Sequence, residues 1–209
     1  VDAVEETGRT SLHLACKQGH VSVLWSLVVA RANVDKTENV YGASPLLLTT
    51  LIGKGHVDIV TALLKARANK HEASKSGATP LSAASQAGHV HIVGALLAAR
   101  ANTDSSGEDD EFPLLAASQH EHIIVVKMLL HARAHVNRAN ARNGATPLFV
   151  SSANGFSAVV RLLLAMKAGK DHATTSGSTP LFIAAQHGHA DVVSLLLAAN
   201  ADKNKAGNH

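Results

Sequence analysis

The stretch from Gly177 to His189 reads GSTPLFIAAQHGH, and it returns five more times along the chain in altered form. The position of Thr179 is taken by Thr10, Ser44, Thr79, Phe112 and Thr146 in the earlier copies, at steps of 34, 35, 33, 34 and 33 residues. Each copy has the grammar of a small helical unit. Gly177 and Ser178 suit a tight turn. Thr179 suits a helix N-cap, because its hydroxyl can accept from an orphan backbone N–H. Pro180 suits the first helical position, where a missing N–H is harmless. Leu181, Ala184 and Ala185 then give a short helix with small side chains, Gly188 breaks it, and DVVSLLLAA from Asp191 to Ala199 gives a second, more apolar helix. One such unit cannot bury its own core, so the units must stack.

The copies read TSLHLA from Thr10, SPLLLT from Ser44, TPLSAA from Thr79, FPLLAA from Phe112, TPLFVS from Thr146 and TPLFIA from Thr179. A second signature, Gly-His followed by apolar pairs, runs from Gly55-His56 to Leu63-Leu64 and from Gly88-His89 to Leu96-Leu97. These motifs and their period resemble the ankyrin repeat over essentially the whole chain. The resemblance implies an all-α solenoid of stacked helix-turn-helix units with protruding β-turn or hairpin loops. The repeats fall at about 8–41, 42–76, 77–109, 110–143, 144–176 and 177–209, with 1–7 as the tail of a preceding repeat, in a single ankyrin-repeat domain spanning 1–209. Neither end carries the polar cap expected of a terminal repeat. The chain therefore reads as a fragment of a longer array, whose copies could also stack end to end; otherwise a monomer is expected.

Composition supports a packed helical chain. Of 209 residues, 46% are apolar and only 17% are charged, which is ample for a core and far from a disordered composition. The lone Cys16 cannot form an internal disulfide and falls on the small-residue side of a first helix. It reads as a buried, inert thiol in an intracellular, cytoplasmic setting. Apolar runs such as Val23–Ala30 are much shorter than the ~20 residues of a membrane span, so no membrane insertion is expected. The formal excess of three positive charges, with one Tyr, one Trp and acidic loop tips, argues against nucleic acid.

Two copies are irregular. The turn before repeat two is lengthened, giving Glu38-Asn39-Val40-Tyr41, and its helix junction reads Gly53-Lys54-Gly55-His56. Leu51 and Ile52 stand where the other repeats have polar or small pairs. Either Tyr41, Leu51 and Ile52 form an apolar contact patch of the kind interfaces are built on, or the insertion turns them inward. Repeat four carries the acidic turn Glu108-Asp109-Asp110-Glu111, with Phe112 for Thr and Glu121 for the mid-repeat Gly. It is the expected weak layer. Repeat five has a basic tip from Arg138 to Arg142. The two tips could attract each other, or the acidic one could face a basic partner. Trp25 takes an outward position on its helix, either as packing at the chain's first repeat or as a contact residue.

In the family the second helix ends on a left-handed Gly. Here that place holds Arg31, Arg67, Arg100, Arg133, Lys167 and Asn200. A non-Gly residue there costs on the order of 1 kcal/mol, while a cation at a helix C-terminus returns roughly 0.3–1 kcal/mol. The cations either cap their helices or form a basic ribbon for an acidic partner.

The 14 histidines do not make a metal motif. His20, His56, His89, His122 and His189 share one repeat position, so they lie about 10 Å apart in successive layers, too far for Zn–N bonds of about 2 Å. Within His89/His91, His120/His122 and His187/His189, a two-residue helical step is not expected to face both rings the same way. No phosphate-binding loop, H-E-x-x-H or nucleophile elbow occurs, so no catalysis and no cofactor are expected. The resemblance implies a protein–protein interaction module. Its partner-binding set, on the tips and the concave face of the first helices, would be Glu6, Val40, Tyr41, Leu51, Ile52, Lys75, Glu108, Asp109, Arg142, Asn143, Thr175, Gln186 and His187. The alternative is a structural spacer or array segment of a larger protein with no partner of its own.

Overall fold

The computed structural model describes residues 2, 4–53, 56–107 and 110–205. Its chain divides into two compact units, Val1–Asp109 and Asp110–His209. The first unit holds α1 (Ser11–Gln18), α2 (Val21–Val29), α3 (Pro45–Ile52), α4 (Val57–Lys65), α5 (Pro80–Gln86) and α6 (Val90–Ala98). The second holds α7 (Pro113–Gln119), α8 (Ile123–His131), α9 (Pro147–Ala153), α10 (Ser157–Ala165), α11 (Pro180–Gln186) and α12 (Ala190–Ala198). Among the described residues there is no strand, only an isolated bridge between Val4 and Thr10. This is the ankyrin-repeat solenoid fold: helix pairs α1/α2 through α11/α12, with α1, α3 and α5 packed side by side in one unit and α7, α9 and α11 in the other.

The first helices start as their sequences dictate. The hydroxyls of Thr10, Ser44, Thr79, Thr146 and Thr179 accept from the backbone N–H three residues on, at 3.2–3.4 Å. Proline opens α3, α5, α7, α9 and α11. Repeat four departs: Phe112 has no hydroxyl, and α7 has no side-chain cap. Its ring is instead fully buried, so packing replaces a hydrogen bond worth about 1 kcal/mol. Glu121, in the mid-repeat Gly position, is forced to φ 58°.

The second helices all end in the same way. Arg31, Arg67, Arg100, Arg133, Lys167 and Asn200 have φ between 60° and 67°, the left-handed conformation expected at that place. In each, the residue's own N–H reaches the carbonyl three back and the following Ala N–H the one five back, as in Arg31 N to Val28 O at 2.9 Å and Ala32 N to Leu27 O at 3.0 Å. That double closure is a Schellman motif. The trailing Ala32, Ala68, Ala101, Ala134, Ala168 and Ala201 are buried, so the chain is turned back against the body of the repeat six times over.

Layers are tied by polar bonds as well as by the apolar columns Leu12/Leu46/Leu81 and Leu114/Leu148. A carboxylate or amide in one loop accepts from the next repeat's backbone: Asp2 from Asn33 N at 3.0 Å, Asp35 from Asn69 N at 2.7 Å, Asn137 from Gly169 N at 2.6 Å and Asp171 from Asp202 N at 2.8 Å. His13 is wholly buried. Its Nδ1 accepts from Thr10 N at 3.1 Å, and its Nε2–H donates to Ala43 O at 3.2 Å. Burial holds this imidazole below its ordinary pKa, against the upward pull of the Ala43 carbonyl and of Glu38. Cys16 is also fully buried; desolvation pushes its thiol up to about 12 against the opposing effect of the neighbouring Thr49 hydroxyl.

Candidate functional site

Hairpin tips close through one side chain at a shared position. Glu38, Ser74, Asn140 and Thr174 each donate their backbone N–H across the turn, to Ala43 O, Ala78 O, Ala145 O and Ser178 O, at 2.8–3.0 Å. Each also accepts with its side chain from N–H groups within the turn. In repeat two the shared position carries a carboxylate, which can accept from more donors. The Glu38 carboxylate takes Val40 N at 2.8 Å, Tyr41 N at 2.7 Å and Ala43 N at 3.0 Å. Burial pushes the carboxyl up, but these three donors and the Arg9 charge outweigh it, and the net pKa lies below the ordinary value. Sequence reading places Glu38 in the lengthened turn without giving it this role. The clue available there is an acid at the same offset as Ser74, Asn140 and Thr174.

Adjacent tips are stitched backbone to backbone. Asn39 N donates to Thr7 O at 2.8 Å, Lys75 N to Tyr41 O at 2.8 Å, and Thr175 N to Asn143 O at 2.9 Å. These bonds tie each tip's backbone to its neighbour's.

In the first unit, Glu6, Val40, Tyr41, Leu51 and Lys75 are exposed and Ile52 is half-buried. Tyr41 is 63% exposed, Leu51 51% and Val40 49%, so the insertion does not turn this patch inward. Lys75 is less available than its exposure suggests, since its Nζ donates to Asn39 O. In the second unit, Arg142, Asn143, Thr175, Gln186 and His187 are exposed. Glu108 and Asp109 lie outside the described residues. The acidic and basic tips do meet where they are described: Arg138 Nη2 bonds Asp110 Oδ1 at 2.8 Å, and Asp110 Oδ2 takes the N–H of Ala141.

The histidines correct the expectation drawn from a helical step. His120/His122 and His187/His189 straddle the turn between two helices rather than sharing one, and their ring centroids come within 6.1 and 6.0 Å. His187 Nδ1–H and His189 Nε2–H both donate to Ala153 O, at 2.7 and 3.0 Å, and His56 Nε2–H donates to Lys17 O at 3.3 Å. At the shared position, His56 and His189 thus each tie their repeat to the one before. Gly155 leaves room for His189, since a Cβ there would sit 2.6 Å from its ring. Among the described residues no three His, Cys, Asp or Glu side chains could hold one metal ion, and no helix is long and apolar enough to cross a membrane.

Comparison with known proteins gives one family throughout. A model of ankyrin repeats in three copies matches residues 48–140 and again 114–206, and a single-repeat model matches 7–39. The ankyrin repeat and KH domain-containing protein mask of Drosophila melanogaster is 38% identical over 78 residues, which is 37% of this chain and 2% of that protein. The chain therefore spans a small fraction of this relative. The ankyrin repeat domain of Bcl-3, a member of the IkappaB family, superposes with a TM-score of 0.88 at 25% identity, covering 97% of this chain and 91% of that one. The human ASB11 ankyrin repeat domain does so at 0.81 and 28%, covering 95% and 87%.

Proposed function

The chain belongs to the ankyrin repeat family, whose members are generally non-enzymatic protein–protein interaction modules, and we propose that it binds a partner protein through its hairpin tips and the exposed faces of its first helices. The observation that carries this reading is the presentation of Val40, Tyr41 and Leu51. Three large apolar side chains stay exposed on a repeat whose tip is braced by the Glu38 carboxylate through the N–H groups of Val40, Tyr41 and Ala43. A surface already ordered loses little freedom on binding, and aromatic and aliphatic anchors supply most of the affinity in interfaces. Arg142, Asn143, Thr175, Gln186 and His187 would extend recognition on the second unit, and Glu6 and Lys75 would flank the anchors on the first. Catalysis and a cofactor form no part of this reading, and the setting we assign is intracellular.

Site-specific photocrosslinking tests it. A crosslinker at Tyr41 or Leu51 should trap one partner reproducibly, and the same group at Lys127 or Arg161, exposed on α8 and α10, should not. Loss of that adduct in a Tyr41→Ala/Leu51→Ser chain that keeps its helical circular dichroism would place the contact on repeat two. Equal trapping from α8 and α10 would move the site. No adduct from any position would favour a spacer within a larger protein.

A further inference from the structure

The six left-handed positions that end the second helices are where glycine is conformationally easiest, yet five of them carry a cation. Arg31, Arg67 and Arg100 in the first unit and Arg133 and Lys167 in the second are all exposed, at φ 60° to 67°. Their backbone N–H groups close the helices. Their side chains make no hydrogen bond or ion pair among the described residues. The acids that follow them are otherwise engaged: Asp35 accepts from Asn69 N, Glu72 from Asn69 Nδ2, and Asp171 from Asp202 N. Capping alone does not require this arrangement, because the Schellman bonds are made by backbone and form equally with Asn200 in the sixth copy.

From this we infer that the C-terminal edge of the second helices in each unit is a docking edge for an acidic, extended polypeptide segment. The edge is separate from the tips and from the first-helix face, so the inference stands apart from the binding reading above. Spacing sets the form of the ligand. Packed helices lie about 8–10 Å apart and an extended chain advances about 3.3 Å per residue. A carboxylate at every third residue therefore meets one cation per repeat. In the second unit the edge opens into a hollow of about 700 Å³ whose charged lining is Lys167, Lys170, His172 and Lys205 with the single acid Asp171, which lies 3.9 Å from Lys170 Nζ, and this gives the segment a place to seat a side chain. A polypeptide fits better than nucleic acid. The loops behind the cations hold Asp35, Glu72, Asp104 and Asp171, which would repel a continuous phosphate backbone, while spaced carboxylates can each address a single guanidinium.

The test uses two short fluorescent peptides of equal composition, one with Glu at every third position among Ser and Gly and one with its Glu residues contiguous. Fluorescence anisotropy with the full chain should show tighter binding of the spaced peptide, weakening as salt rises. Two variants, Arg31→Gly/Arg67→Gly/Arg100→Gly and Arg133→Gly/Lys167→Gly, suit the left-handed backbone and should keep the wild-type circular dichroism spectrum. Each should lose affinity, the triple variant by roughly tenfold or more. Unchanged affinity in both variants, equal binding of the two peptides, or no binding of either would overturn the inference. Tighter binding of a single-stranded oligonucleotide or of anionic lipid vesicles, lost in the same variants, would overturn the assignment to a polypeptide.

Discussion

The guanidinium of Arg138 lies over the ring of Phe112, 4.4 Å from its centroid, while its Nη2 bonds Asp110 Oδ1 at 2.8 Å. One side chain thus clamps the repeat that lost its Thr cap. The expected weakness of repeat four is met by a cation stacked on the very residue that replaced the cap, and by the acidic tip beside it.

Removing that clamp should be felt. Arg138→Ala is expected to destabilise the protein by about 1–2 kcal/mol, combining a partly desolvated cation–π contact with a charge-assisted hydrogen bond. A double-mutant cycle with Phe112→Leu should return a coupling of roughly 0.5–1 kcal/mol. Urea denaturation of the four chains measures both, and additivity would show that the ring contact carries no energy of its own.

Buried hydroxyls at one repeat position should be dispensable. Ser85, Ser118 and Ser152 are buried, and their Oγ atoms have no hydrogen-bond partner. The sixth repeat has Ala185 at that place. Replacement by Ala removes an unsatisfied polar atom without opening a cavity, so each is expected to raise stability by about 1 kcal/mol. A lower denaturation midpoint for these variants would mean that the hydroxyls are satisfied in solution.

Stability should fall on acidification in two stages. His13 titrates below its ordinary 6.5 because it is buried, so the unfolded chain takes up protons first and stability declines as pH drops below 6.5 towards the folded value. The groups that face it are Thr10, the Ala43 carbonyl, Glu38 and Arg9. Glu38, held below 4.5, contributes stability above 4.5 that is lost as pH falls through its folded value. Urea midpoints measured between neutral and mildly acid pH should show the first decline, and His13→Leu should flatten it. A variant with the wild-type slope would assign the effect to other groups.

Cys16 should report opening of the first repeat. A fully buried thiol pushed up to about 12 presents almost no thiolate at neutral pH. Alkylation of the native protein is expected to be far slower than of the chain in denaturant, with a rate that follows local unfolding. Fast labelling in native buffer would contradict the burial.

The sequence by itself determined the repeat, its phase and its grammar. Thr10, Ser44, Thr79, Thr146 and Thr179 cap as their side chains require, Pro stands where no N–H is needed, and the left-handed helix ends fall at Arg31 through Asn200. These are local effects, set within a few residues by hydrogen-bonding capacity and backbone sterics, and repetition makes them legible. Tertiary structure alone decided what each irregular residue does. Nothing local says that Glu38 will gather three backbone donors, that Arg138 will cover Phe112 from 26 residues away in the chain, or that His187 and His189 will share the carbonyl of Ala153. Nor did sequence decide between an inward and an outward Tyr41 and Leu51. Those outcomes depend on which groups a neighbouring layer brings within hydrogen-bond reach or covers from water, and that is fixed only once the layers are stacked.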